Sequence, residues 1–220
     1  MTHSFRKLLV RLFREPIVRL CAQIGIGVNY RAIAMDNDAL VDALMEQGVQ
    51  GAQGSLSRVE VSRMVLDPSE EFRAFLARFT SYLADLGDPR AQITQYHNLV
   101  PNVLRYSLAT LISGTTVTPT FKANYLALGS GSTAPTNSDT SLQAEEVRSL
   151  FNDRSAANNV AYLDVFFPSS VVGGQTYLEA GVFVDGTGSA DTGYLLSRVA
   201  INQVLGSSQT LTINASITVS

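Results

Sequence analysis

The sequence contains few side chains that could do chemistry on their own. Its 220 residues include one cysteine, Cys21, and two histidines, His3 and His97. This supply excludes an internal disulfide and most metal sites built from cysteine and histidine. No second histidine or cysteine lies near His97 in the sequence, so we interpret it as a packing or capping residue. The sequence therefore favours a protein without catalytic residues, without a metal and without a cofactor.

Acidic residues are the remaining candidates for catalysis. A carboxylate pair for glycoside hydrolysis, which needs two carboxyl groups roughly 5 to 10 Å apart, could come from Glu145, Glu146, Asp164 and Glu179. The available partners for these carboxylates are Arg148, Arg154 and Arg198. We expect Arg148 and Arg198 to pair with Glu145 or Glu179 and so to attach loops to a sheet.

A glycine-rich run at 129–132 could suggest a phosphate-binding loop, but it lacks the Gly-Lys-Ser/Thr continuation that such a loop needs. We interpret it as a turn in which Gly129 and Gly131 adopt backbone angles closed to other residues. Asp139 is expected to cap a short helix that carries Leu142 and Glu145.

Composition divides the chain into two halves. With 45% hydrophobic and 16% charged residues, the chain is not a disordered polyelectrolyte. Charged residues and helical spacing are concentrated in the first half, whereas the second half is rich in Gly, Ser, Thr and Val with strand-like alternation. We therefore predict the α+β class, with a helical region for docking or oligomerisation at 1–114 and an antiparallel β-sandwich domain at 115–220.

Helix boundaries are signalled at several points in the first half. Asp36 is placed to cap a helix through Met45. Asp-Pro-Ser-Glu at 67–70 starts a long helix with an apolar face, and Asp-Pro at 88–89 repeats that start signal. A further helix is expected over 98–113, ending at a glycine.

Strands are expected in the second half wherever alternation is strongest. The expected strands are 125–128, 160–167, 176–184, 194–201 and a last strand over 210–219. In the last strand apolar and polar residues alternate, so we expect one face buried and one face in water.

An amphipathic basic helix is predicted close to the N-terminus. Its apolar stripe consists of Phe5, Leu8, Leu9, Leu12 and Phe13. The stripe either docks into a groove on a partner chain or completes the core of its own chain. Neither nucleic acid nor a membrane is expected as a partner, since the basic residues lack interleaved aromatic side chains and no apolar run reaches the roughly 18 residues of a membrane span.

A series of short blocks follows in a recognisable order. They are NLV at 98–100, LISG at 111–114, YLALGSGSTAP at 125–135, DTSL at 139–142, EEVR at 145–148, YLEAGVF at 177–183 and LLSRV at 195–199. In this order the chain resembles a group of structural proteins of tailed-bacteriophage virions, of the tail-fibre or baseplate-associated type. The resemblance covers about the last 120 residues.

The resemblance implies a non-enzymatic component of the virion in the tail, baseplate or fibre-attachment region. It implies other virion proteins as partners and assembly as a symmetric homo-oligomer, for which a trimer or a hexamer is plausible. Two alternatives remain open, a capsid decoration or head-vertex protein and a carbohydrate-binding module for receptor recognition. The absence of Trp argues mildly against an aromatic platform for sugars.

Overall fold

The computed structural model describes residues 27–48, 50–51, 54–112, 114–116 and 118–219. The apolar stripe that predicts the docking arm lies outside the described residues; it consists of Phe5, Leu8, Leu9, Leu12 and Phe13.

Within these ranges the chain forms five α-helices and eleven β-strands, which confirms the α+β class. The helices are α1 (Asn37–Glu46), α2 (Arg58–Leu66), α3 (Glu70–Asp85), α4 (Asn102–Ile112) and α5 (Ser169–Val172). The strands are β1 (Gly27–Asp36), β2 (Gln50–Gly51), β3 (Gly54–Ser55), β4 (Gln92–His97), β5 (Ala123–Gly129), β6 (Glu145–Leu150), β7 (Asp153–Ala157), β8 (Val160–Phe167), β9 (Thr176–Val184), β10 (Tyr194–Val204) and β11 (Gln209–Thr218).

Two antiparallel sheets form a sandwich. In the described part of the chain one sheet has the order β4-β1-β11-β8-β7 and the other has the order β10-β9-β5-β6. Alternate apolar side chains of both sheets meet in a single core, for example Leu128 and Val182 from one sheet and Val165 and Ile213 from the other. This arrangement agrees with the predicted antiparallel sandwich.

The five-stranded sheet draws on both halves of the sequence. Strand β1 pairs with β11 over its whole length, from Gly27 opposite Thr218 to Asp36 opposite Gln209, and it pairs with β4 on its other side. Neither β1 nor β4 was expected in a region with helical spacing, and the Asp-Pro signal at 88–89 precedes β4 rather than a helix. The compositional change near residue 114 is therefore not a boundary of the sheet.

Three helices cover the outer face of the five-stranded sheet. Apolar side chains of α1, α2 and α3 form a second core with Met35 of β1 and Phe166 of β8. Phe75 and Phe79 of α3 are fully buried there and stack with their ring centroids 5.6 Å apart. This layer of helices gives the central strands of the five-stranded sheet two buried faces, whereas the edge strands β4 and β7 stay largely exposed.

The helix layer overturns the expectation that one face of the last strand lies in water. Thr212 is 0% exposed and Asn214 is 3% exposed, although both belong to the polar face of β11. The Thr212 hydroxyl lies 2.7 Å from that of Thr80 on α3, and the Asn214 amide donates to the Ser81 hydroxyl at 2.9 Å. Small polar side chains tolerate this burial because α3 supplies hydrogen-bond partners.

The helix signals are confirmed for α1 and α3, wrong at 88–89 and misplaced by four residues for α4. Asp36 caps α1 as predicted, accepting a hydrogen bond from the backbone of Asp38. The long helix α3 forms as predicted, but Ser69 is its cap. Helix α4 begins at 102 rather than 98, because the Asn98 side chain accepts a hydrogen bond from the backbone of Val28.

Because the polar face of β11 is buried, two threonine substitutions are expected to change the free energy of unfolding by very different amounts. Thr212→Lys places an ammonium group beneath α3 and is expected to lower the free energy of unfolding by about 3 kcal/mol or more. Thr94→Lys on the exposed edge strand β4 is the matched control and should change it by less than about 0.5 kcal/mol. Urea denaturation of both variants measures the difference, and equal stability would contradict a covered outer face.

Candidate functional site

The predicted pairing residues lie on the outer face of the four-stranded sheet, where Arg198 of β10 forms a buried cluster. Its Nε atom donates to Glu179 Oε2 at 2.8 Å, and its Nη1 atom donates to Asp139 Oδ2 at 2.8 Å. The Nη2 atom donates to the carbonyl oxygen of Thr133 at 3.0 Å. The side chains of Arg198 and Glu179 are only 2% and 1% exposed. We call Arg198, Glu179 and Asp139 the Arg198 clamp.

Glu179 fixes the backbone of the loop that joins β5 to β6. Its carboxylate accepts hydrogen bonds from the backbone N–H groups of Gly131 at 3.1 Å, Gln143 at 3.0 Å and Ala144 at 2.8 Å. Each end of the loop is therefore held by the same carboxylate. Hydrogen bonds to a charged acceptor are stronger than those between neutral groups.

Gly129 and Gly131 are needed because other atoms lie close to their Cα atoms. The unusual backbone angles expected from the sequence are not the reason. A Cβ on Gly131 would lie 2.3 Å from Glu179 Oε1, and a Cβ on Gly129 would lie 2.3 Å from the carbonyl oxygen of Ala144. Neither residue has a positive φ. The absent side chains let the loop lie directly on the carboxylate.

The short helix expected after Asp139 is absent from the described structure of this loop. Asp139 instead accepts hydrogen bonds from the backbone N–H of Thr136 at 2.9 Å and from its hydroxyl at 2.6 Å. Leu142 packs on the sheet, and Glu145 begins strand β6. Asp139 is the second carboxylate that Arg198 binds, so its side chain points into the clamp and does not cap a helix.

Arg148 forms a second cluster on the same sheet. It makes a two-pronged ion pair with Glu145, with Nη2 2.6 Å from Oε2, and both side chains are almost completely buried. Its Nη1 atom donates to the carbonyl oxygens of Thr187 and Thr192 at 3.0 Å, and its Cζ atom lies 4.7 Å from the centre of the Phe183 ring. We call Arg148 and Glu145 the Arg148 clamp, because they hold the loop between β9 and β10 against β6.

Electrostatics within the Arg198 clamp favour the charged forms. Burial alone would raise the pKa of Asp139, but hydrogen bonds from Thr136 and the Arg198 guanidinium outweigh it and lower that pKa. Burial tends to lower the pKa of Arg198, and the two carboxylates outweigh this and raise it. Asp139 and Arg198 are therefore held in their charged forms, and the clamp holds the loop between β5 and β6 against the sheet.

An apolar groove lies at one end of the sandwich and was not foreseen. Its volume is about 610 Å³. Its walls come from α4 and from both sheets; the apolar lining residues are Leu104, Leu108, Leu111, Phe121, Ala123, Ala156, Ala161, Leu163, Leu196, Ile217 and Val219. Leu111 is 47% exposed, which is unusual for a leucine within an apolar cluster. We call this feature the end groove.

Comparison of the chain with protein-family models, curated proteins and solved structures finds no match. Among the described residues no helix is long and apolar enough to cross a membrane. Likewise, the described ranges hold no group of three or more His, Cys, Asp or Glu side chains placed to hold a metal ion.

The structure resolves the pairing that the sequence left open. Glu145 pairs with Arg148 and Glu179 pairs with Arg198, so the two glutamates belong to separate clamps. Asp139 was missed as the third member of the Arg198 clamp. Three leucines of the end groove fall within the helix expected over 98–113, namely Leu104, Leu108 and Leu111, but nothing in the sequence distinguished a covered helix face from an open one.

Breaking the Arg198 clamp should cost stability. Glu179→Gln leaves the buried Arg198 with one carboxylate partner and is expected to lower the free energy of unfolding by about 3 kcal/mol. Glu146→Gln, an exposed glutamate on β6, is the matched control and should change it by less than about 0.5 kcal/mol. Guanidinium denaturation measures both, and a clamp variant as stable as the control would contradict the structural role.

The lowered pKa of Asp139 predicts a pH dependence with a definite sign. Its folded-state pKa lies below its unfolded value of about 3.9, so its contribution to stability is present above that pH and is lost as the pH falls through the folded value. The stability difference between the wild type and Asp139→Asn should therefore shrink below about pH 4. The exposed Asp67→Asn variant is the control. A difference that grows on acidification would refute the assignment.

Proposed function

We propose that this chain is a non-enzymatic structural protein of a phage particle, in the tail, baseplate or fibre-attachment region. In this proposal it assembles as a symmetric homo-oligomer, a trimer or a hexamer, and contacts other virion proteins. It requires no cofactor.

The end groove is the observation that carries the proposal. Open apolar surface of this kind marks a place where another chain packs, because leaving it in water is unfavourable. The groove contains side chains from α4 and from both sheets, so its shape is fixed by the sandwich rather than by one mobile loop. Rigid apolar pockets are typical anchor points of protein interfaces.

The predicted docking arm has chemistry that suits the end groove. Gly27, where β1 begins, pairs with Thr218, and Thr218 lies between the groove residues Ile217 and Val219. Gly27 therefore lies at the edge of the groove. In the proposed oligomer the apolar stripe of one copy packs into the groove of the next, and repetition around a ring turns a modest contact into a stable assembly.

The two clamps also support a structural role, because they fix the surface loops of the four-stranded sheet. Glu145 and Glu179 are each bound to a buried arginine, and Glu179 also accepts three backbone N–H groups. Carboxylates held in this way keep loops in one conformation. A repeated building block needs such loops, since each copy must present the same surface to its neighbours.

The clamps also give physical meaning to the blocks that carry the resemblance to phage virion proteins. The block at 145–148 contains both members of the Arg148 clamp, and the blocks at 139–142, 177–183 and 195–199 contain the three members of the Arg198 clamp. Proteins that share the blocks would share this way of fixing loops to a sheet.

The end groove provides a direct test of the oligomer. Leu111→Glu adds a charge to a half-exposed groove residue and should shift the purified protein from oligomer to monomer, with the fold retained. Leu86→Glu is the matched control, because Leu86 is 65% exposed and does not line the groove. Light scattering coupled to size-exclusion chromatography measures the mass of each.

A wild type that stays monomeric at high concentration, or an oligomer that Leu111→Glu leaves intact, would contradict assembly through the end groove.

Mass spectrometry of purified phage particles is expected to detect the chain in a fixed copy number, and its absence from mature particles would overturn the virion proposal. Its position in the particle separates a tail component from a head protein.

A further inference from the structure

A polar cleft lies on the outer face of the five-stranded sheet, beside the C-terminal end of α3. Its volume is about 480 Å³. The pairing registers of β4, β1 and β11 place its side chains in two adjacent rows. One row is His97, Asn29 and Ser216, and the other is Gln95, Arg31 and Asn214.

Asn214 forms the buried back of the cleft. It is 3% exposed, and its Nδ2 atom donates to Asp164 Oδ1 at 2.8 Å and to Ser81 Oγ at 2.9 Å. Because a carboxylate can accept a hydrogen bond but not donate one, Asp164 must face the Nδ2 atom, and this fixes the orientation of the amide. The Oδ1 atom of Asn214 is one of two buried side-chain polar atoms in the described residues that lack a hydrogen-bond partner. A buried carbonyl oxygen in this position requires a donor.

Charge in the cleft is already balanced. The Arg31 guanidinium lies 2.5 Å from Asp85 Oδ1, and the side chains of this pair are 14% and 27% exposed. The other polar side chains of the two rows are amides, one hydroxyl and an imidazole, with His97 Nδ1 3.0 Å from Asn29 Oδ1. A neutral ligand with many groups that both donate and accept hydrogen bonds fits such a lining better than an anion or a cation.

We propose that the polar cleft binds a neutral saccharide, whose hydroxyl groups exchange hydrogen bonds with the amides of its two rows. The volume suits one or two sugar rings, and the exposed Gln95 and the half-buried Asn29 supply amide groups for its hydroxyls. Ile93, which is 42% exposed, provides an apolar wall for the face of a ring. The site needs no aromatic platform.

The cleft depends on both halves of the chain. Four of its polar side chains belong to β1 and β4, and two belong to β11. Saccharide binding therefore requires the full chain, and it is independent of the end groove and of the proposed place in a virion.

The test is an array of neutral and uronic-acid-containing bacterial oligosaccharides probed with the full-length protein, followed by calorimetry on the best neutral binder. Gln95→Ala is expected to weaken binding about tenfold, the equivalent of one lost hydrogen bond to the ligand. Asn29→Ala, in the other row, should act in the same direction. Thr94→Ala is the matched control, since Thr94 lies on the same strand but opposite Ala32, whose side chain faces the core.

Three results would overturn the proposal. They are no binding of any neutral saccharide, binding that neither Gln95→Ala nor Asn29→Ala weakens, and binding confined to uronic-acid oligosaccharides. Variants at the cleft mouth are preferred to variants of Asn214, because replacing Asn214 also removes a hydrogen bond to the partly buried Asp164. Circular dichroism verifies that each variant retains the fold.

Discussion

The pairing of β1 with β11 is the constraint on which the rest of the structure depends. It joins the first described strand of the chain to the last over ten residue pairs, from Gly27 with Thr218 to Asp36 with Gln209. One face of the pair faces the sandwich core, and the other is covered by α3 along most of its length. The polar cleft lies where this cover stops, and the end groove lies where β11 ends. Both candidate binding surfaces therefore follow from one strand pairing.

The two clamps illustrate how buried charge acts in this fold. A buried ion pair contributes little net stability compared with apolar residues of the same size, but loss of one partner is costly. The Arg198 clamp therefore acts mainly as a constraint on conformation, since Glu179 binds both ends of the loop between β5 and β6. The Arg148 clamp does the same for the loop between β9 and β10. The outer face of the four-stranded sheet is thus covered by two loops, and each loop is held in one conformation by its clamp.

Sequence patterns predicted the local elements well and the long-range ones poorly. Asp36 and the apolar spacing after Ser69 define α1 and α3, and alternation defines β8 and β9 with their observed bounds. Strand β1 was missed because its identity depends on a partner about 180 residues away, which no local window contains. The ion pairs were expected from residue type, but Asp139 was not, because an aspartate in a loop has equal local reasons to cap a helix. The burial of the polar face of β11 follows only from the position of α3.

The central claim is that both halves of the chain form one cooperative unit through β1 and β11. Native-state hydrogen exchange tests it most directly, because amides of one unit exchange with a common free energy. The account predicts that the amides of 28–35 and 210–217 are protected to the same degree and lose protection together in increasing denaturant. Exchange of β1 and β4 at a much lower free energy, with β11 and β8 still fully protected, would contradict it.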